Sequence, residues 1–281
     1  MSMLLLKLIA APLLIGIASV AGRRWGPAVS GWLVGLPFTS GPVIFFLALD
    51  HGRAFGTAAA IGTLTGTISQ AAFSLTYAWL AFTGRWPLAL GGSCLAFLLA
   101  TFALQYFTLP VLPLYLLILV VIVATLLLLP RTSSALVARA PARWDIPLRM
   151  LIATVFVLAL TTLAPLLGPQ LSGLLTPFPL YATILSVFAH STQGPGASAN
   201  VLRGLQFGLF AFITFFLVLA LLIQQGSLGL AFLIATACAL IVQACMLVVF
   251  RRLTRAQAVK PALLNEPHDQ QSGSHTHPLT R

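Results

Sequence analysis

Apolar runs long enough to cross a bilayer follow one another along almost the whole chain, with little polar sequence between them. A spanning helix needs about 20 mostly apolar residues. By that measure runs fall at 3–22, 27–50, 55–82, 87–104, 110–130, 148–167, 169–190, 197–224 and 227–250. The pattern predicts an all-α integral membrane protein of about nine transmembrane helices, referred to below as spans 1 to 9. Between spans 5 and 6 lies the one sizeable loop, 131–147. Residues 251–281 are expected to be a disordered tail, because they hold too little apolar surface to fold. The chain thus divides into a first membrane part (1–130), a linker (131–147), a second membrane part (148–250) and the tail.

Composition agrees with the pattern. Hydrophobic residues make up 59% of the chain and charged residues 7%, against roughly 25% charged in a soluble domain. The net charge of +11 does not point to nucleic acid, because the arginines sit between apolar runs and not on one face. With nine spans, Arg23, Arg24, Arg85, Arg131, Arg139, Arg143, Arg251, Arg252, Arg255 and Lys260 fall on one side. Only Lys7 and Arg53 fall on the other. Positive charge marks the cytoplasmic side, so the amino terminus is expected outside and the carboxyl terminus inside, in a cell (inner) membrane. Residues 1–22 look like a signal peptide, but Arg23 and Arg24 follow at once, and the segment is expected to remain as span 1. The cysteines, Cys94, Cys238 and Cys245, lie in apolar runs and suit packing better than disulfides.

The sequence also repeats itself. Gly26-Pro27-Ala28-Val29-Ser30-Gly31 recurs as Gly168-Pro169-Gln170-Leu171-Ser172-Gly173, 142 residues further on. In the same register Pro37 meets Pro179, Gly52 meets Gly194, Gly62 meets Gly204 and Gly66 meets Gly208. The last four form two copies of G-x-x-x-G, a spacing that lets membrane helices approach closely. Spans 1–5 then correspond to spans 6–9. An odd number of spans per copy makes this an inverted-topology repeat. Spans 2 and 7 are expected to be interrupted, at Pro37 and Pro42 in the first and at Pro177 and Pro179 in the second.

Paired interruptions in two halves of a membrane protein are a pointer to a solute site. The residues beside them, Ser40 and Gly41, and the polar stretch holding Gln193, Asn200 and Arg203, are the candidates for solute binding. Arg203 within a span must find a carbonyl, a carboxylate or an anionic ligand, which makes an anionic solute one reading. Asp50, His51 and His190, at the ends of spans 2 and 7, are the candidates for ion coupling, with protons as the expected ion. His268, His275 and His277 are read as solvated tail residues, and no metal site or cofactor is expected.

On the duplication and the interruptions, residues 3–250 resemble, at fold level, the inverted-repeat secondary transporters with broken helices, a group that includes the bile-acid symporter-like carriers. The resemblance implies a secondary carrier for a small solute; the chain departs from a five-plus-five plan by ending after nine spans. The alternative is a non-catalytic scaffold or membrane-complex subunit, with the bilayer and a second copy of the chain as partners. An intramembrane enzyme is the weakest reading. An aspartyl protease needs two membrane carboxylates and only Asp50 is available, while Ser30 and Ser172 suit helix packing and no HExxH motif is present.

Overall fold

A computed structural model describes residues 2–37, 40–106, 109–130, 144, 146–152, 154–155 and 178–264, and the statements below concern these. They are helical almost throughout. Nine α-helices are bounded: α1 (Ser2–Trp25), α2 (Pro27–Val34), α3 (Ser40–His51), α4 (Arg53–Leu80), α5 (Trp86–Leu104), α6 (Val111–Leu128), α7 (Leu180–Gln193), α8 (Pro195–Leu222) and α9 (Leu228–Leu264). Residues 146–152 are helical as well.

Four helices are long and apolar enough to cross a membrane: α5, α6, α8, and α9 over Leu228–Val249. α8 is the central one. Of its apolar stretch 67% is buried, against 22% in α5 and α6 and 17% in α9. It packs against α2, α4, α6, α7 and α9, and α4 packs against α3, α5, α6 and α8. α4 is as long as α8, 28 residues each, but Thr63, Thr65, Thr67, Ser69, Gln70 and Ser74 dilute its apolar character. All six are buried. A helix enclosed by other helices can carry polar groups that lipid would not accept.

Polar contacts near the helix ends fix relative directions. The Trp79 indole, at the end of α4, donates to the Leu128 carbonyl at the end of α6. Arg203, near the start of α8, donates to the carbonyls of Leu129 and Pro130. The Gln224 amide, just past α8, donates to Thr57 near the start of α4. α4 and α6 therefore run in one direction and α8 in the other.

Several sequence expectations change at this level. Over span 2 two short helices are bounded, α2 ending at Val34 and α3 starting at Ser40, and of the residues between them 38–39 lie outside the described residues. Pro37 lies in that gap, whereas Pro42 sits in the first turn of α3, where a missing N–H costs no helical bond. Pro179 precedes the first residue of α7; Pro177, span 6 beyond residue 155 and most of the first half of span 7 lie outside the described residues. The intervals 51–54 and 191–196, left between spans 2 and 3 and between spans 7 and 8, reduce to single glycines. Gly52 joins α3 to α4 and Gly194 joins α7 to α8, with φ of 88° and 92° and extended ψ. Only glycine takes that conformation without strain. The tail differs too: α9 runs to Leu264, well past residue 250. Composition suggested disorder there, but Arg, Leu, Ala, Gln and Lys are good helix formers and extend a helix that the bilayer already nucleates.

Candidate functional site

α2 lies in close backbone contact with α8. A Cβ added at Gly31 would collide with the Val201 carbonyl, and one at Gly204 with the Ala28 carbonyl. At Gly208 it would lie 2.6 Å from the Trp32 carbonyl. The backbones of α2 and α8 thus touch along a strip that no side chain separates. Of the four repeated glycines, Gly204 and Gly208 lie in this contact. Gly66 is buried on α4, and beside Gly62 there is open space, with no atom within 4 Å of an added Cβ.

Where α2 ends, its carbonyls need partners. Gly35 N–H bonds to the Trp32 carbonyl and Leu36 N–H to that of Leu33. The Trp32 carbonyl also accepts the Gln243 amide of α9 at 3.0 Å. Ser40 and Gly41 open α3; Ser40 is buried, and Gly41 lies against the Phe215 ring on the later half of α8.

The other solute candidates are elsewhere. Arg203, half-buried, holds the carbonyls of Leu129 at 2.8 Å and Pro130 at 3.2 Å. A cation at a helix carboxyl end satisfies orphan carbonyls and opposes the helix dipole, so this arginine closes α6. Asn200 is half-buried one turn earlier, and Gln193 is exposed at the end of α7. Arg203 and Phe215 are twelve residues apart on α8, roughly 18 Å along its axis. The five residues therefore occupy two levels of the helix and do not form one cluster.

The ion-coupling candidates also separate. Asp50 and His51 belong to the last turn of α3, on the side where α4 begins. His190 belongs to the last turn of α7, on the side where α8 begins and α4 ends. His190 is buried, its ring 6.2 Å from that of Tyr77 on α4. Among the described residues no three His, Cys, Asp or Glu side chains gather.

No protein-family model, curated protein or solved structure matches this chain. Function must therefore be argued from the chain's own geometry.

Sequence reasoning passed over the feature that stands out most, a set of buried polar atoms without partners. They are Gln70 Oε1, Tyr77 Oη, Ser186 Oγ, His190 Nδ1, both amide atoms of Gln206, and Gln243 Oε1, with Ser19, Trp32 and Tyr181 in addition. Gln206, Ser186 and Tyr77 are fully enclosed. Hydropathy averages hide such residues inside apolar runs. The signal that could have found them is glutamine in a span, since its amide cannot bond to its own helix as Ser and Thr hydroxyls do.

Proposed function

We propose that this chain is a secondary carrier for a small solute, built as an inverted-topology repeat, and not an enzyme. The observation that carries the reading is the relation between α4 and α8. Their first residues, Arg53 and Pro195, and their last, Leu80 and Leu222, are each separated by the 142-residue offset of the sequence repeat. α3 and α7 end, and α5 and α9 begin, in the same register. Gly52 and Gly194, equivalent in that register, share one backbone conformation. The two equivalent helices run antiparallel, as an inverted repeat requires. Secondary carriers commonly follow this plan, with interrupted helices near the symmetry axis. The non-helical stretch Gly35, Leu36 and Pro37, with Gly35 against α8, fits that role.

In this reading the chain crosses an inner membrane nine times, with its carboxyl terminus cytoplasmic. Coupling to protons is proposed through Asp50, His51 and His190. The solute's charge is left out of the proposal, because the residue that suggested an anion, Arg203, serves the end of α6. A scaffold would have no use for unpartnered polar groups in its interior.

The test is uptake into proteoliposomes holding the purified protein, with and without a pH gradient, across small neutral, anionic and cationic solutes. The expected result is saturable uptake of one class above empty vesicles, increased by the gradient. Flux equal to that of empty vesicles for every class would overturn the carrier reading, and uptake blind to the gradient would remove the proton.

A further inference from the structure

We infer that the seam between α4 and α7 binds a small uncharged solute carrying both hydrogen-bond donors and acceptors, such as a polyol or an amide. The inference rests on the carrier reading and names the solute class. Gln70 and Tyr77 are seven residues apart on α4 and share one face; Ser186 and His190 are four apart on α7 and share another. The Tyr77–His190 ring contact, 6.2 Å between centroids, brings the Tyr77 end of one face beside the His190 end of the other. Each of the four residues is at most 7% exposed, and each carries a polar atom with no partner: Gln70 Oε1, Tyr77 Oη, Ser186 Oγ and His190 Nδ1. Buried polar atoms are normally paired, and leaving one unpaired is costly. Four on two faces that meet at Tyr77 and His190 call for an occupant that supplies the missing bonds.

The chemistry of these atoms selects the occupant. The glutamine oxygen only accepts, the two hydroxyls donate and accept, and a neutral imidazole nitrogen does one or the other. An occupant must therefore offer at least one donor and several acceptors. Among the described residues it has no counter-ion to meet. α4 carries a single charged residue, Arg53, at its far end, and α7 carries none besides His190. The arginines nearby point elsewhere: Arg203 holds the end of α6, and Arg149 lies over Phe188, roughly opposite His190 on α7. A full charge in the seam would remain uncompensated, which a membrane interior penalises. The wall beside the polar atoms is aromatic. Phe73, one turn from both Gln70 and Tyr77, meets Phe178, which meets Phe97. Apolar walls with a few placed polar groups are the usual make-up of a small-molecule site.

The test uses the full-length protein in nanodiscs. Its thermal stability is titrated with mannitol, xylitol, urea, acetamide, lactate, benzoate and choline at millimolar concentration, below the range where excluded osmolytes stabilise folds in general. Saturable stabilisation by a polyol or an amide, and by neither the anions nor choline, is expected; which of the two binds distinguishes the sources. Tyr77→Phe and Ser186→Ala should each weaken that binding about fivefold to tenfold, the scale of one lost hydrogen bond. The ligand-free melting point should hold or rise, because each change removes an unpaired polar group. A merely structural role predicts the reverse, a lower melting point with unchanged binding. That result, or saturable binding only of ions, or no saturable binding, would overturn the site. The outcome for the carrier stays separate: binding without uptake of the same solute overturns transport and keeps the site, whereas uptake unaffected by both substitutions keeps transport and overturns the site.

Discussion

At the residue scale, glycines with the same sequence motif meet different fates, and the difference is measurable. Gly204 and Gly62 are equivalent in the repeat, yet a Cβ at Gly204 collides with the Ala28 carbonyl while one at Gly62 meets nothing within 4 Å. Gly204→Ala should therefore destabilise the protein by about 1–3 kcal/mol, the usual cost of overpacking, and more if backbone must move. Gly62→Ala should be neutral or gain up to about 1 kcal/mol from helix propensity. Unfolding in mixed micelles checks both, and equal losses would show that the strips are equally packed. A second pair should behave alike. Gly52→Ala and Gly194→Ala each force a side chain into a positive-φ conformation, at a cost of about 1–2 kcal/mol. Unequal losses, one large and one absent, would break the equivalence of the two turns.

At the scale of single helices, Arg203 is the informative element contact. With its guanidinium on the Leu129 and Pro130 carbonyls, Arg203→Met should release the end of α6. Hydrogen exchange at residues 125–130 should quicken by an amount corresponding to about 1–2 kcal/mol, with Arg203→Lys in between. Unchanged exchange in the Met variant would show that the carbonyls find other partners. This role was not legible in the sequence, because the partner carbonyls come from a helix end 73 and 74 residues away. The helices themselves were more legible. α4, α5, α6 and α8 begin and end within two residues of spans 3, 4, 5 and 8, since each is one apolar run between charged or proline-bearing turns. The α4–α7 seam was hidden for the opposite reason. Its polar atoms are spread over Gln70, Tyr77, Ser186 and His190, and only packing brings Tyr77 beside His190.

For the molecule as a whole, the directions of the helices are the prediction most open to test. Thr57 and Gln224 are hydrogen-bonded at 3.2 Å across α4 and the end of α8. With the native cysteines replaced, Thr57→Cys together with Gln224→Cys should cross-link in intact membranes. Thr57→Cys with Arg203→Cys should not, because those residues lie towards opposite ends of antiparallel helices. Efficient cross-linking of the second pair would invalidate the antiparallel arrangement and, with it, the inverted repeat. The proposed repeat rests on spaced glycines and prolines in the sequence, and its proposed orientation on a count of spans. The end contacts of Trp79, Arg203 and Gln224 supply direction independently of that count.

The short helix α2 also sets a timetable for synthesis. Eight residues reach about 12 Å, far less than the roughly 30 Å of a hydrocarbon core. Its glycine strip is covered by Val201, Gly204 and Gly208, which leave the ribosome some 170 residues later. At about 5–20 residues per second, α2 waits on the order of ten seconds or longer before α8 arrives. During that interval α1 can already pack on α2, but the face that α8 will cover has only lipid, water or the insertion machinery beside it. The crossing that makes the finished protein rigid thus makes its first half dependent on its second while it is being made.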